Sequence, residues 1–191
     1  MTFTRDHILV VAATTRELAL PDGWHAALCG VGPVDAAIRT ADAIAEHRPA
    51  LILHVGIAGA RAASGLIPPA LVIGDSARYC DLAVPGAWAP SEIAAPDMLL
   101  AAARRALPHA SVMPIGTSAR VGGTTGCDVE AMEGFAVLRA AQLAGVPALE
   151  VRAISNHIEE PDRARWHFEA AFAAMTEATP LLVSEFLQCA P

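Results

Sequence analysis

Positive charge is in short supply in this 191-residue chain. Thirteen Lys and Arg stand against twenty Asp and Glu, for a net charge of −7 and an isoelectric point near 5.4. The cations are scattered and form no stripe, so the chain lacks the electrostatic footprint of a nucleic-acid binder. Long apolar runs are missing as well: none reaches the about 18 residues that span a bilayer. Thr4, Arg5, Asp6 and His7 lead straight into a short apolar strand, so neither membrane insertion nor secretion is expected. Cys29, Cys80, Cys127 and Cys189 are far apart with no CxxC pair, which favours reduced thiols in a cytoplasm over a disulfide frame or a zinc site. Aromatic residues make up only 5% while 54% of the chain is hydrophobic, much of it Ala, a composition suited to tightly packed helices. The length predicts a single domain over residues 1–191 with one sizeable core.

What is present alternates. Residues 8–13, 50–55, 70–74 and 147–154 are continuous apolar runs, as strands covered on both faces require. Between and after them lie segments of helical length, 33–47, 97–107 and 134–144, punctuated by Pro33 and Gly145. A further helix is expected from Pro161 to about Glu177, broken by Pro180, with a short helix over 181–188. Residues 78–96, rich in Pro and Ala and carrying Trp88, are expected to form an irregular loop available for a lid or a subunit contact. The alternation predicts an α/β fold, a mostly parallel sheet between helical layers that binds ligands at the carboxyl ends of its strands.

Three of those ends carry unusual residues: Glu17, the glycine-rich run Gly56, Ile57, Ala58, Gly59, and the stretch SNHIEEPDR from Ser155. The glycine run and CGVGP at 29–33 match neither GxGxxG nor GxxxxGK[ST], so a dinucleotide fold or a P-loop is disfavoured, and tight turns are the bland alternative. In VEAMEG, Met132 and Glu133 precede an otherwise apolar helix. A carboxylate there needs a partner, either the helix dipole or a ligand diol whose two hydroxyls it accepts. Asn156 ends a strand, where its amide caps a turn or reads the edge of a base. Arg152 lies in an apolar strand and needs an acid; with Glu150 assigned to the opposite face, that acid is expected on a distant element. The histidines have no ligand spacing, and neither HExxH nor GxSxG occurs, so no metal, no cofactor and no covalent intermediate is expected.

In order, Glu17, GVGP, HVGIAGA, VEAMEG and VRAISN resemble the nucleoside phosphorylase and nucleosidase family. Residues 129–166 are most similar to its hypoxanthine-releasing members. The resemblance implies a three-layer αβα fold around a twisted, mixed, mostly parallel sheet, a purine nucleoside as substrate, and a homo-oligomer. It implies Glu17 as the general base that activates water, Glu133 with Met132 as the ribose holder, and Asn156 beside the purine N7. Many adenine-releasing members carry Asp at that last position, whose proton can pass to N7; an amide only donates a hydrogen bond, which suits a 6-oxopurine. Phosphorylases of the family place Arg and Ser where His54 and Ile57 stand here, and Arg rather than Glu at 17, so water is the implied nucleophile. The segment 117–128 is shorter and richer in glycine than the family pattern.

Overall fold

Two-sided burial of the apolar runs is what the computed structural model displays, over residues 4–18, 24–123 and 126–189. In chain order the elements are β1 (Ile8–Ala12), β2 (Ala26–Leu28), α1 (Pro33–His47), β3 (Leu51–Ala60), β4 (Leu71–Tyr79) and β5 (Glu92–Ala94). There follow α2 (Asp97–Ala106), β6 (Ser111–Thr117), β7 (Val129–Ala131), α3 (Gly134–Leu143), β8 (Ala148–His157) and α4 (Phe168–Phe186). β1 is flanked in parallel by β2 and β3, and β3 continues in parallel to β8. β8 runs antiparallel to β4, β4 parallel to β6, and β6 parallel to β7, which returns antiparallel to β3. Five of the eight strands of the mixed sheet therefore close on themselves, around a small core that includes Ala58, Val72, Ile115, Val129 and Ile154.

Helices cover both faces. Leu99 of α2 and Met175, Leu182 and Phe186 of α4 pack on Ile8, Val10, Leu53 and Val151. On the other face Ala36 of α1 and Phe135, Val137 and Ala141 of α3 meet Leu9, Val11 and Ile52. Alanine at these contacts lets the helices lie close to the strands, which is the structural return on the composition.

The departures from expectation have physical causes. β2, β5 and β7 have three residues each, too few for a hydrophobic period to show, and β6 contains Pro114. The expected helix at Pro161 starts only at Phe168; the intervening residues form a loop with a 3₁₀ turn at Arg163–Arg165. Pro180 does not break α4, because Ala178, Thr179, Leu182 and Val183 around it are buried. That packing outweighs the roughly 3 kcal/mol that an interior proline costs. Of segment 117–128, residues 124–125 lie outside the described residues.

Candidate active site

Directly after β1 the chain turns so that Glu17 folds back on its own backbone. Thr14 donates to Glu17 Oε2 through its backbone N–H (3.0 Å) and its hydroxyl (2.8 Å), and the Ile57 N–H donates to Oε1 at 3.2 Å. Three donors hold the half-buried carboxylate in one orientation and leave it lone pairs for a further partner.

The run Gly56, Ile57, Ala58, Gly59 is not a loop after a strand, as its glycines suggested, but the second half of β3, paired with β8 through a register shift between Ala58 and Gly59. The glycines make room for side chains. A Cβ at Gly56 would lie 2.2 Å from Arg152 Nη1 and 2.8 Å from Glu17 Oε1; one at Gly59 would lie 3.1 Å from Asn156 Nδ2.

Arg152, wholly buried, fills that space. Its Nε donates to Glu150 Oε1 at 2.8 Å, its Nη2 faces Glu133 Oε2 at 3.4 Å, and its Nη1 points to the Ile57 carbonyl at 3.4 Å. The distant acid is thus Glu133, but Glu150 is the nearer partner: residues two apart on a strand share a face, which corrects its assignment to the opposite side. His54 Nε2 also meets Arg152 Nη2, and its Nδ1 lies 3.0 Å from the Val11 carbonyl. Burial first, and Arg152 second, hold the His54 pKa well below its ordinary value, so the neutral ring donates from Nδ1 and accepts at Nε2. Burial pushes Glu150 the other way, toward the protonated form, against the opposing pull of Arg152.

Glu133 stands at the start of α3 without capping it. Its Oε1 accepts instead from the Gly32 N–H at 3.1 Å, in the glycine turn after β2, and its side chain is 6% exposed. The carboxylate thus has protein partners in Gly32 and Arg152 at the helix start. Asn156 is held by its immediate neighbours: its Oδ1 accepts from Ser155 Oγ at 2.8 Å and its Nδ2 donates to the His157 carbonyl at 3.0 Å. One amide N–H is left for a ligand.

A cavity of about 420 Å³ joins these strand ends, a size within the range of small-molecule sites. It is lined by Glu17, Ile57, Ala58, Gly59, Met132, Glu133 and Asn156, whereas Gly56 lies behind the wall, against Arg152. Sequence reasoning missed Thr14, Trp166, Phe168 and Phe172, which also line it. The spacing of Phe168 and Phe172, one helical turn apart, was the available signal, but its place at the start of α4 could not be read while that helix was expected from Pro161. Among the described residues, no three His, Cys, Asp or Glu side chains gather as metal ligands.

This fold and this cavity define the class. The chain belongs to the phosphorylase superfamily, whose family model matches residues 24–115 and 117–188. It is 36% identical to the futalosine hydrolase of Streptomyces coelicolor over 83% of this chain and 78% of that protein. Among solved structures it is similar in fold to the methylthioadenosine/S-adenosylhomocysteine nucleosidase of Colwellia psychrerythraea, in complex with adenine. The TM-score is 0.82 at 20% identity, over 97% of this chain and 98% of that one. A futalosine hydrolase mutant of Helicobacter pylori aligns with a TM-score of 0.76 at 18% identity, over 93% and 98% of the two chains.

Proposed function

We propose that this chain is a cytoplasmic purine nucleosidase of one domain that hydrolyses the N-glycosidic bond of futalosine and releases hypoxanthine, a step toward menaquinone. The observation that carries the reading is that one cavity gathers Glu17, Glu133 and Asn156 from three separate strand ends. The similarity to a futalosine hydrolase over most of both chains supports the substrate.

Glu17, oriented by Thr14 and Ile57, accepts a proton from water as its oxygen attacks the ribose anomeric carbon. The carbon–nitrogen bond breaks and its electron pair passes to the purine. Glu133 accepts hydrogen bonds from the ribose hydroxyls, with Met132 against the sugar, and its charge favours the cation-like sugar of the transition state. Arg152 keeps Glu133 in place from below. The free N–H of Asn156 donates to the N7 and O6 side of the leaving base. Hypoxanthine delocalises negative charge onto O6, so a hydrogen bond there is enough. Adenine has no O6 and gains more from a transferred proton, which an amide does not supply; a methylthioadenosine or S-adenosylhomocysteine nucleosidase is the alternative that this disfavours.

The enzyme is expected to self-associate. Val34 and Ile38 of α1 and Leu143 of α3, 70%, 58% and 72% exposed, flank an apolar groove, and Trp88 is 79% exposed between β4 and β5, the irregular part of the expected 78–96 loop, whose ends are strand instead. Sedimentation of the purified protein checks this.

The decisive assay is base release from futalosine in phosphate-free buffer, beside methylthioadenosine and inosine. Hypoxanthine from futalosine, with kcat lowered about 10²- to 10⁴-fold and KM moved far less in Glu17→Gln, is the expected result. Adenine from methylthioadenosine alone transfers the assignment to the alternative, and base release that occurs only after inorganic phosphate is added, with a ribose 1-phosphate product, would make the enzyme a phosphorylase.

A further inference from the structure

The acids and cations of the loop after β8 do not cancel. Glu159 accepts from the Ala62 N–H at 3.1 Å and faces Arg61 at 3.9 Å. Glu160 pairs with Arg165 at 2.8 Å and accepts from the Asp162 N–H at 3.0 Å. Asp162 accepts from the Ala164 N–H at 3.0 Å. Each acid is engaged away from Arg163, and among the described residues no carboxylate comes within ion-pair distance of that guanidinium.

Arg163 lies instead over the indole of Trp166, with Cζ 5.4 Å from the ring centroid, and both residues line the cavity. The indole is pinned, its Nε1 donating to the Glu160 carbonyl at 3.0 Å. The shelf continues through Phe168, 5.4 Å from Trp166 between centroids, to Phe172, 6.2 Å further on. Arg16 covers Phe172, but its charge is matched by Glu169. The same cavity thus has an acidic side, with Glu17, Glu130 and Glu133, and an aromatic side on which one arginine has no acid partner.

A neutral purine and a ribose present no anion for that arginine, and in the proposed function their polar groups meet Asn156 and Glu133. The third part of a substituted nucleoside, the group carried on the ribose, is what remains. Resting on that reading, we propose that Arg163, on the shelf of Trp166, Phe168 and Phe172, is a specificity-determining residue that binds a carboxylate at the end of a flat, apolar arm on the ribose. The planar guanidinium matches a carboxylate with two parallel donors, and the aromatic faces match the arm.

Two inosine derivatives test this, one bearing a 5′-linked aryl carboxylate and the other the corresponding aryl carboxamide. Both binding by titration calorimetry and hypoxanthine release are measured, on wild type, Arg163→Met and Arg163→Lys. The wild-type protein is expected to prefer the carboxylate by about 10- to 100-fold, the range of a charge-assisted hydrogen bond. Arg163→Met brings the ratio near one, and Arg163→Lys retains part of it. A preference that persists in Arg163→Met overturns the inference, as does an equal loss for both arms, which would assign Arg163 to the nucleoside core or to loop structure. A binding preference without base release from either derivative upholds the carboxylate site while overturning the hydrolase reading.

Discussion

A single methyl group added at Gly56 is expected to disable the enzyme without entering the cavity. The alanine Cβ would stand 2.2 Å from Arg152 Nη1 and 2.8 Å from Glu17 Oε1, where ordinary contact begins at 3.4 Å. Neither neighbour yields easily. Arg152 is tied to Glu150, Glu133 and His54, and Glu17 to Thr14 and Ile57. Overpacking of this kind costs about 1–3 kcal/mol of stability, or roughly 2–12 °C in melting temperature for a chain of this size. The larger effect is on turnover, because Glu17 and, through Arg152, Glu133 are displaced together. A shift of about 1 Å in a catalytic group costs on the order of 10²-fold. Hypoxanthine release and thermal unfolding of Gly56→Ala are measured beside Gly86→Ala, whose added Cβ meets nothing within 4 Å. A Gly56→Ala enzyme with turnover within about threefold of wild type and an unchanged melting temperature would refute the reasoning, since then Arg152 and Glu17 are not fixed as described.

Two further outcomes follow from the buried network. Arg152→Met leaves Glu133 and Glu150 facing each other in the interior without their cation, and should cost about 3–5 kcal/mol. Denaturant unfolding that shows less than about 1 kcal/mol of loss would count against the pairing. His54 resists protonation in the folded state, while in the unfolded chain it titrates near 6.5. The unfolded state therefore binds the extra proton below that pH. The stability due to the neutral His54 is complete above pH 6.5 and lost on acidification by up to about 1.4 kcal/mol per unit. The stability of wild type relative to His54→Gln should fall from about pH 6.5 to about pH 5, and parallel pH profiles for the two proteins would contradict it.

Much of this could be read along the chain. The run 8–13 is apolar on both faces because helices cover both faces, and that demand is written residue by residue. Glu17, Glu133 and Asn156 stood out because polar groups at the ends of apolar elements are costly unless something meets them. The register of the glycine run was not legible: glycine marks both turns and places where another side chain must pass, and only the position of Arg152 distinguishes them. The start of α4 was lost for a related reason. Glu160 accepts from the Asp162 N–H and, through its carbonyl, from Trp166 Nε1, and Asp162 accepts from the Ala164 N–H, side-chain contacts that compete with a helix over 161–166.

By itself, then, the sequence determined which of the longer elements form and which polar residues stand at the ends of apolar strands, because burial and polarity are properties of single positions and their periods. The closure of β3, β8, β4, β6 and β7, the grip of Glu133 on Arg152, and the meeting of the aromatic shelf with Glu17 and Glu133 in one cavity were decided only by the tertiary structure. Each is a pairing between surfaces brought together by the whole fold, and its energy depends on distance and burial that no stretch of chain possesses alone.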